Sequence, residues 1–423
     1  MRGMSSRQGD ATNRVPATPP VGLALAGGAS EGAIYEIGAI RALDEAIEGL
    51  DLNHLGVYVG VSAGGFLVAC LANGLDTAQM CRAIVKTEPG EHPFVPEIFF
   101  QPALREYGRR LASVPKLLGE AIGSYVTRRE KRLLDALTVL GRTLPVALFD
   151  NEAVREYVSK IFSIKGRTDD FRRLDRRLVV VATDLESAES TRFGEPGWDH
   201  VPISRAVQAS TALPGLYTPV EINGRYYVDG VLLKTMHASV AIEAGAKLVF
   251  CVNPVVPVDL RPAERVNRFP RGFLAHRGLA AVLSQTAKTL IRSRMEMGLR
   301  AYDSRYPDAD IVLVEPRRDD YENFFSNIFS FASRRAVCAR AYQATRQHLL
   351  ERKDEIGPIL EKHGLRLRVE ALEGERDLWV SVGLPEVSSH ESARADREVL
   401  GELEGVLERV ERLASRRALE AGA

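Results

Sequence analysis

Apolar residues fall along the chain in short, nearly continuous blocks separated by stretches of helical period. Val21-Gly-Leu-Ala-Leu-Ala26 is almost wholly apolar and runs into glycines, which predicts a strand buried on both faces. From about Ala33 to Gly49, Ile37, Ile40, Leu43 and Ile47 recur at the spacing of one helix face. Val57-Tyr58-Val59 predicts a second buried strand, and Phe66 to Ala72 a second helix closed by Asn73-Gly74. Leu178 to Thr183 and Lys247 to Asn253 read as further central strands. Strands alternating with helices predict an α/β class: a three-layer α/β/α fold with a mostly parallel central sheet.

The flanks are different. Met1 to Pro20 mixes Ser, Arg, Asn, Thr and Pro without an apolar run and reads as a disordered leader with no secretory signal. From Pro89 to Asp150 prolines bracket Arg- and Leu-rich stretches around the basic run Arg128 to Arg132. This segment is expected to be a helical insertion, either a lid or a solvated decoration. Beyond Pro254 the pattern is mainly helical: Leu274 to Tyr302 lacks proline, and Arg334 to Leu360 is periodic. Ile311 to Val314 predicts an extra strand, Leu365 to Val382 a short strand pair, and Ser392 to Leu419 an amphipathic helix dense in Glu and Arg. The expected organisation is a leader over 1–20, a core domain over 21–260 carrying the insertion at 89–150, and a mainly helical C-terminal region over 261–423.

Composition narrows the function. Lys+Arg and Asp+Glu number 56 each, so no global field favours nucleic acid or an anionic membrane, and any basic surface must be local. The four cysteines, Cys70, Cys81, Cys251 and Cys338, lack metal-ligand or redox spacing and suit a reducing cytoplasm. No stretch of about 18 uncharged apolar residues occurs, so a spanning helix is not expected.

Three blocks carry chemistry. Gly60-Val61-Ser62-Ala63-Gly64 follows one expected strand and precedes one expected helix, the setting in which G-x-S-x-G forms a strained turn with an outward serine. The helix start favours alkoxide character on that serine. Gly27-Gly28-Ala29-Ser30-Glu31-Gly32 joins the first strand to the first helix, where successive N–H groups can converge on an anion. That anion is either an oxyanion or a phosphate, although the Lys-Ser/Thr ending of a P-loop is missing. Tyr226-Tyr227-Val228-Asp229-Gly230 is the third block. Alone it would be a turn, and it is preceded by Ala209-Ser-Thr-Ala-Leu-Pro-Gly215.

In this order the three blocks resemble the patatin-like phospholipases, over about Val21 to Asn253. The resemblance implies a patatin-like catalytic domain and a serine lipid-acyl hydrolase. Ser62 would be the nucleophile and Asp229 its base, with an oxyanion hole from the amides of Gly27, Gly28, Ala29 and Ala63. Gly32, Gly60, Gly64 and Gly230 would be the elbow and turn glycines. It implies no cofactor and no metal, and a lipid or phospholipid substrate. The balanced charge and the cysteine usage point to no nucleic-acid partner and a cytoplasmic protein; peripheral membrane contact, through the basic run Arg128 to Arg132 or the C-terminal helix, and homo-oligomerisation are open. Two positions depart from the family's loop: Ala29 stands where a third glycine is common, and Glu31 where a basic residue is common. Val231 replaces the second glycine after Asp229. These departures keep open a catalytically weak lipid-binding or regulatory protein. An acyltransferase or small-ester esterase on the same site also remains open. So does a general base at His237 or His200, since a free Asp, at a pKa of about 3.9, is a poor base at neutral pH.

Overall fold

The computed structural model describes residues 20–85, 101–103, 106–108, 110, 112, 114, 145–265, 269–321 and 331–384. Outside these residues lie the expected leader apart from Pro20, the basic run Arg128 to Arg132, most of 89–150 and the helix expected over Ser392 to Leu419.

The first half alternates β1 (Val21–Leu25), α1 (Ala29–Ala46), β2 (Val57–Val61), α2 (Ala63–Ala72) and α3 (Thr77–Val85). Next come α4 (Glu152–Phe162), β3 (Arg177–Asp184), β4 (Ser190–Phe193) and α5 (Ile203–Ser210). A hairpin of β5 (Val220–Ile222) and β6 (Arg225–Asp229) precedes α6 (Ala238–Glu243), β7 (Leu248–Val252), α7 (Leu279–Arg305), β8 (Asp310–Val314) and α8 (Phe331–Glu351).

These strands form one eight-stranded sheet in the order β8-β7-β1-β2-β3-β6-β5, with β4 also on β3. Contacts from β8 through β3 are parallel, while β4, β5 and β6 join antiparallel. The sheet is therefore mixed and mostly parallel, as expected, and the Ile311–Val314 strand closes one edge.

Side chains alternate across the sheet, so β1 sends Leu23 and Leu25 to one face and Ala24 and Ala26 to the other. The larger residues meet α1, α2, α4, α5 and α8. The smaller ones let α6 lie close to the sheet with Ala238, Val240 and Ala241, and α7 adds the half-buried Met295 and Tyr302 on that side. Helices on both faces give the three layers. On the first face α1 and α8 approach so closely that a Cβ on Gly38 would overlap the Cys338 carbonyl oxygen.

Two expectations require revision. Helix α1 begins at Ala29, not Ala33, because the Gly28 carbonyl already accepts from Gly32 N–H at 2.8 Å. Ala29 to Gly32 of the glycine block thus form the first turn of the helix, with Gly28 as its N-cap residue. The strand pair expected over Leu365 to Val382 is not formed. Only Arg366–Leu367 is extended, paired with Ile47–Glu48, and short helices follow at Val369–Glu373 and Leu378–Ser381. Asp377 accepts from the N–H groups of Trp379 and Val380 at 2.8 and 2.9 Å, a side-chain cap that commits this segment to a helix.

Candidate active site

The loops that leave the C-terminal ends of β1 and β2 meet at one point, the usual position of a site in an open α/β sheet. Ser62 occupies the turn between β2 and α2 with φ 53° and ψ −124°, a left-handed conformation costly for any residue but glycine. Packing holds it there. A Cβ on Gly60 would lie 2.5 Å from the Gly64 carbonyl oxygen and Gly65 Cα, and one on Gly64 would lie 2.6 Å from the Leu25 carbonyl carbon. Gly64 N–H donates to the Ala26 carbonyl at 3.1 Å, tying the elbow to the glycine block. The Ser62 N–H donates to Ser210 Oγ at 2.7 Å, and that hydroxyl donates to the Val181 carbonyl at 2.6 Å. Ser210 supports the elbow from α5. It stood in the segment preceding Asp229, but without any local mark of this role.

The glycine block lies against the serine. A Cβ on Gly27 would sit 3.0 Å from the Ser62 Cβ, and one on Gly28 would be 2.7 Å from Pro254 Cγ. Ala29 takes φ 51°, so the residue standing where a glycine is common adopts the conformation glycine favours. For an L-residue that costs about 1 kcal/mol. Gly27, Gly28, Ala29 and Ala63 all line the same cavity as Ser62.

Asp229 ends β6 opposite Ala182 of β3 and is 2% exposed. Its backbone is fixed on both sides: its N–H donates to the Ala212 carbonyl at 2.9 Å, and its carbonyl accepts from Thr183 Oγ1 at 3.1 Å. A Cβ on Gly230 would overlap the Val181 carbonyl oxygen and touch Val61 at 3.1 Å, so the glycine lets the turn press onto the ends of β2 and β3. Burial pushes the Asp229 carboxyl up to about 7. Two partners favour its ionised form, Val231 N–H, which donates to Oδ1 at 2.9 Å, and the Ser62 side chain. The geometry therefore joins Ser62 to a carboxylate whose affinity for a proton suits neutral pH.

The cavity above them measures about 660 Å³, within the range of a small-molecule site. Its walls are chiefly apolar, among them Phe66, Val158, Leu213, Leu216, Leu283 and Ile291. Glu31 and Lys288 also line it. Burial raises the Glu31 carboxyl above its ordinary range, and the Lys288 ammonium pulls it back. A positive charge thus reaches the loop from α7, far away in sequence, where no local pattern could announce it.

No histidine lines this cavity among the described residues. His237 is the N-cap residue of α6, and burial, with Lys234 and Arg192 nearby, lowers its pKa to about 3. His200 meets the Asn223 side-chain nitrogen at 3.2 Å in an exposed setting. Among the described residues no group of three or more His, Cys, Asp or Glu is arranged to hold a metal ion.

Three solved structures are similar at a distance. VipD from Legionella pneumophila is 13% identical, with 92% of this chain and 85% of that chain covered and a TM-score of 0.33. The type III effector protein ExoU is 14% identical, covering 95% of this chain but only 64% of its own, at a TM-score of 0.30. The heterodimeric ExoU–SpcU complex from the type III secretion system of Pseudomonas aeruginosa is 16% identical, with 92% and 67% covered and a TM-score of 0.26. Likenesses this loose carry no weight for activity. The model of the patatin-like phospholipase family matches residues 23–242, over half of the chain and all three blocks of the site. The chain therefore belongs to the patatin-like phospholipase family, a class of lipid hydrolases.

Proposed function

We propose that the protein hydrolyses carboxylic esters of lipids through an acyl-Ser62 intermediate, with Asp229 as the only side-chain base. The observation that carries this reading is the buried Asp229 carboxyl, raised to about 7 beside Ser62 in a cavity with no histidine wall among the described residues. Ser62 Oγ attacks the ester carbonyl carbon as its proton passes to Asp229. The carbonyl oxygen gains negative charge against the amides of Gly27, Gly28, Ala29 and Ala63. The tetrahedral intermediate collapses, the alcohol leaves with the proton from Asp229, and the acyl group stays on Ser62. Water then adds to the acyl carbon as its proton passes to Asp229, and the second tetrahedral intermediate collapses to free the fatty acid while Asp229 returns that proton to Ser62 Oγ. The apolar cavity suits an acyl chain, and no step requires a metal or cofactor.

A second reading, a catalytically weak lipid-binding or regulatory protein, is favoured by the left-handed Ala29 and by the acidic Glu31 beside the oxyanion site. A fluorophosphonate probe separates the two: covalent labelling of Ser62 in wild-type protein, lost in Ser62→Ala, supports the hydrolase. No labelling of folded wild-type protein would favour the second. Turnover on phospholipid, on short nitrophenyl esters and with alcohol acceptors then sorts phospholipase from small-ester esterase and acyltransferase. No described helix is long and apolar enough to cross a membrane, so the substrate is expected to be met from the aqueous side. A cytoplasmic location is part of this proposal.

A further inference from the structure

Helix α7 lies outside the span 23–242 matched by the family, yet it walls the catalytic cavity. None of its described side chains is fully buried. At about 100° per residue, Leu279, Leu283, Leu290 and Met297 fall within an arc of about 40°. They are 74%, 58%, 62% and 62% exposed. A solvated helix ordinarily turns polar side chains outward, whereas this one turns large apolar ones. Its opposite arc faces the protein, with Lys288 and Ile291 on the catalytic cavity and Met295 and Tyr302 against the sheet layer.

Charge follows the same helix. It carries Lys288, Arg292, Arg294, Arg300 and Arg305 against Glu296 and Asp303, five basic and two acidic residues, hence +3, in a chain whose charges balance overall. Lys288 lines the catalytic cavity and Arg292 pairs with Glu296 and Glu315, which leaves Arg300 as the basic residue beside the apolar arc. Arg294 donates through both terminal nitrogens to the Leu232 and Leu233 carbonyls, at 2.7 and 2.6 Å, which ties α7 to the turn that follows Asp229. Between that turn and α7 runs a second, apolar groove of about 480 Å³, and Val231, Leu232, Ala287 and Ile291 border both it and the catalytic cavity. The apolar face is thus continuous with the site mouth.

We propose that the outer face of α7 is the surface by which this protein lies on an anionic lipid bilayer. Leu279, Leu290 and Met297 enter the acyl boundary, with Leu283 at the rim of the catalytic cavity, while Arg300 meets headgroup phosphates. An amphipathic helix of this kind lies in the interface plane, its affinity set by apolar area plus attraction to anionic lipid. The surface goes beyond the hydrolase reading, because binding can be measured on protein that turns nothing over.

The test is sedimentation with phosphatidylcholine vesicles containing phosphatidylglycerol, using the full chain carrying Ser62→Ala. A triple variant, Leu279→Asp, Leu290→Asp and Met297→Asp, is made in that background and in the active protein. These residues are solvent-facing and do not line the catalytic cavity, so melting and turnover of a short soluble ester should match those of the parent. The expected result is a loss of vesicle partitioning of about tenfold or more in the triple variant, and a smaller loss for Arg300→Glu that added salt erases. Equal partitioning of triple variant and parent, or no partitioning of the parent, overturns the proposal. So does self-association of the parent in sedimentation velocity that the triple variant abolishes, since the face would then belong to a second copy. Should soluble-ester turnover be absent in the active protein while partitioning behaves as expected, the hydrolase reading fails and the docking surface stands.

Discussion

Replacing Asp229 with asparagine should abolish turnover and, above neutral pH, make the protein more stable. In the folded protein burial holds the carboxyl at about 7, against 3.8 for an ordinary Asp. Between these values the folded state retains a proton that the unfolded chain has released, so wild-type stability falls as pH rises through the window. The slope is about 1.4 kcal/mol per pH unit for one group, which makes the full cost roughly 4 kcal/mol above pH 7 and nothing below about pH 4. Asparagine has no such titration and keeps an oxygen to accept from Val231 N–H. Urea unfolding of both proteins at several pH values would read the difference directly. The advantage of Asp229→Asn over wild type should grow steadily from about pH 4 to 7 and then level off, because wild type loses stability over that range. In wild type kcat/KM should rise through a midpoint near 7 and stand about a hundredfold below its plateau two pH units lower. A stability difference flat in pH, or an ascending limb centred near 4, would refute the claim that burial sets this base.

Other perturbations have defined outcomes. Ser210→Ala leaves the buried Ser62 N–H without its 2.7 Å acceptor, so unfolding should show a loss of about 1–3 kcal/mol, with a fall in kcat larger than any change in KM. Gly64→Ala forces a Cβ to within 2.6 Å of the Leu25 backbone, and should cost about 2 kcal/mol or more in a melt and most fluorophosphonate labelling. Ala29→Gly relieves the φ of 51°; kcat should rise, and stability should change by no more than about 1 kcal/mol, because glycine also loosens the unfolded chain. His237→Asn should keep the ascending pH limb near 7, since His237 itself titrates near 3; loss of that limb in folded protein would restore histidine as the base.

Much of the fold was legible because the signals are local. Val21–Leu25, Val57–Val61, Arg177–Asp184 and Leu248–Val252 are apolar enough to be buried on both faces, and only central parallel strands require that. The error at Leu365 to Val382 is equally local in origin. Short apolar runs do not distinguish strand from helix, and the Asp377 cap and the packing of Leu378 and Trp379 decided the matter.

From the amino-acid order alone came the strand-to-helix setting of Ser62, the glycine block, the Asp229-Gly230 turn and the two departures at Ala29 and Glu31. Each is written in neighbouring residues, whose hydrogen-bond periodicity and steric needs act over a few positions. Only the tertiary structure decided that Ala29 adopts a left-handed conformation, that Ser210 holds the elbow, that Lys288 faces Glu31, and that no histidine among the described residues reaches the cavity. It also decided that Asp229 titrates near neutrality and that α7 turns an apolar arc outward. Desolvation and proximity depend on which distant segments pack together. A pKa near 7 belongs to the burial around the carboxyl, and the identity of the residue does not encode it.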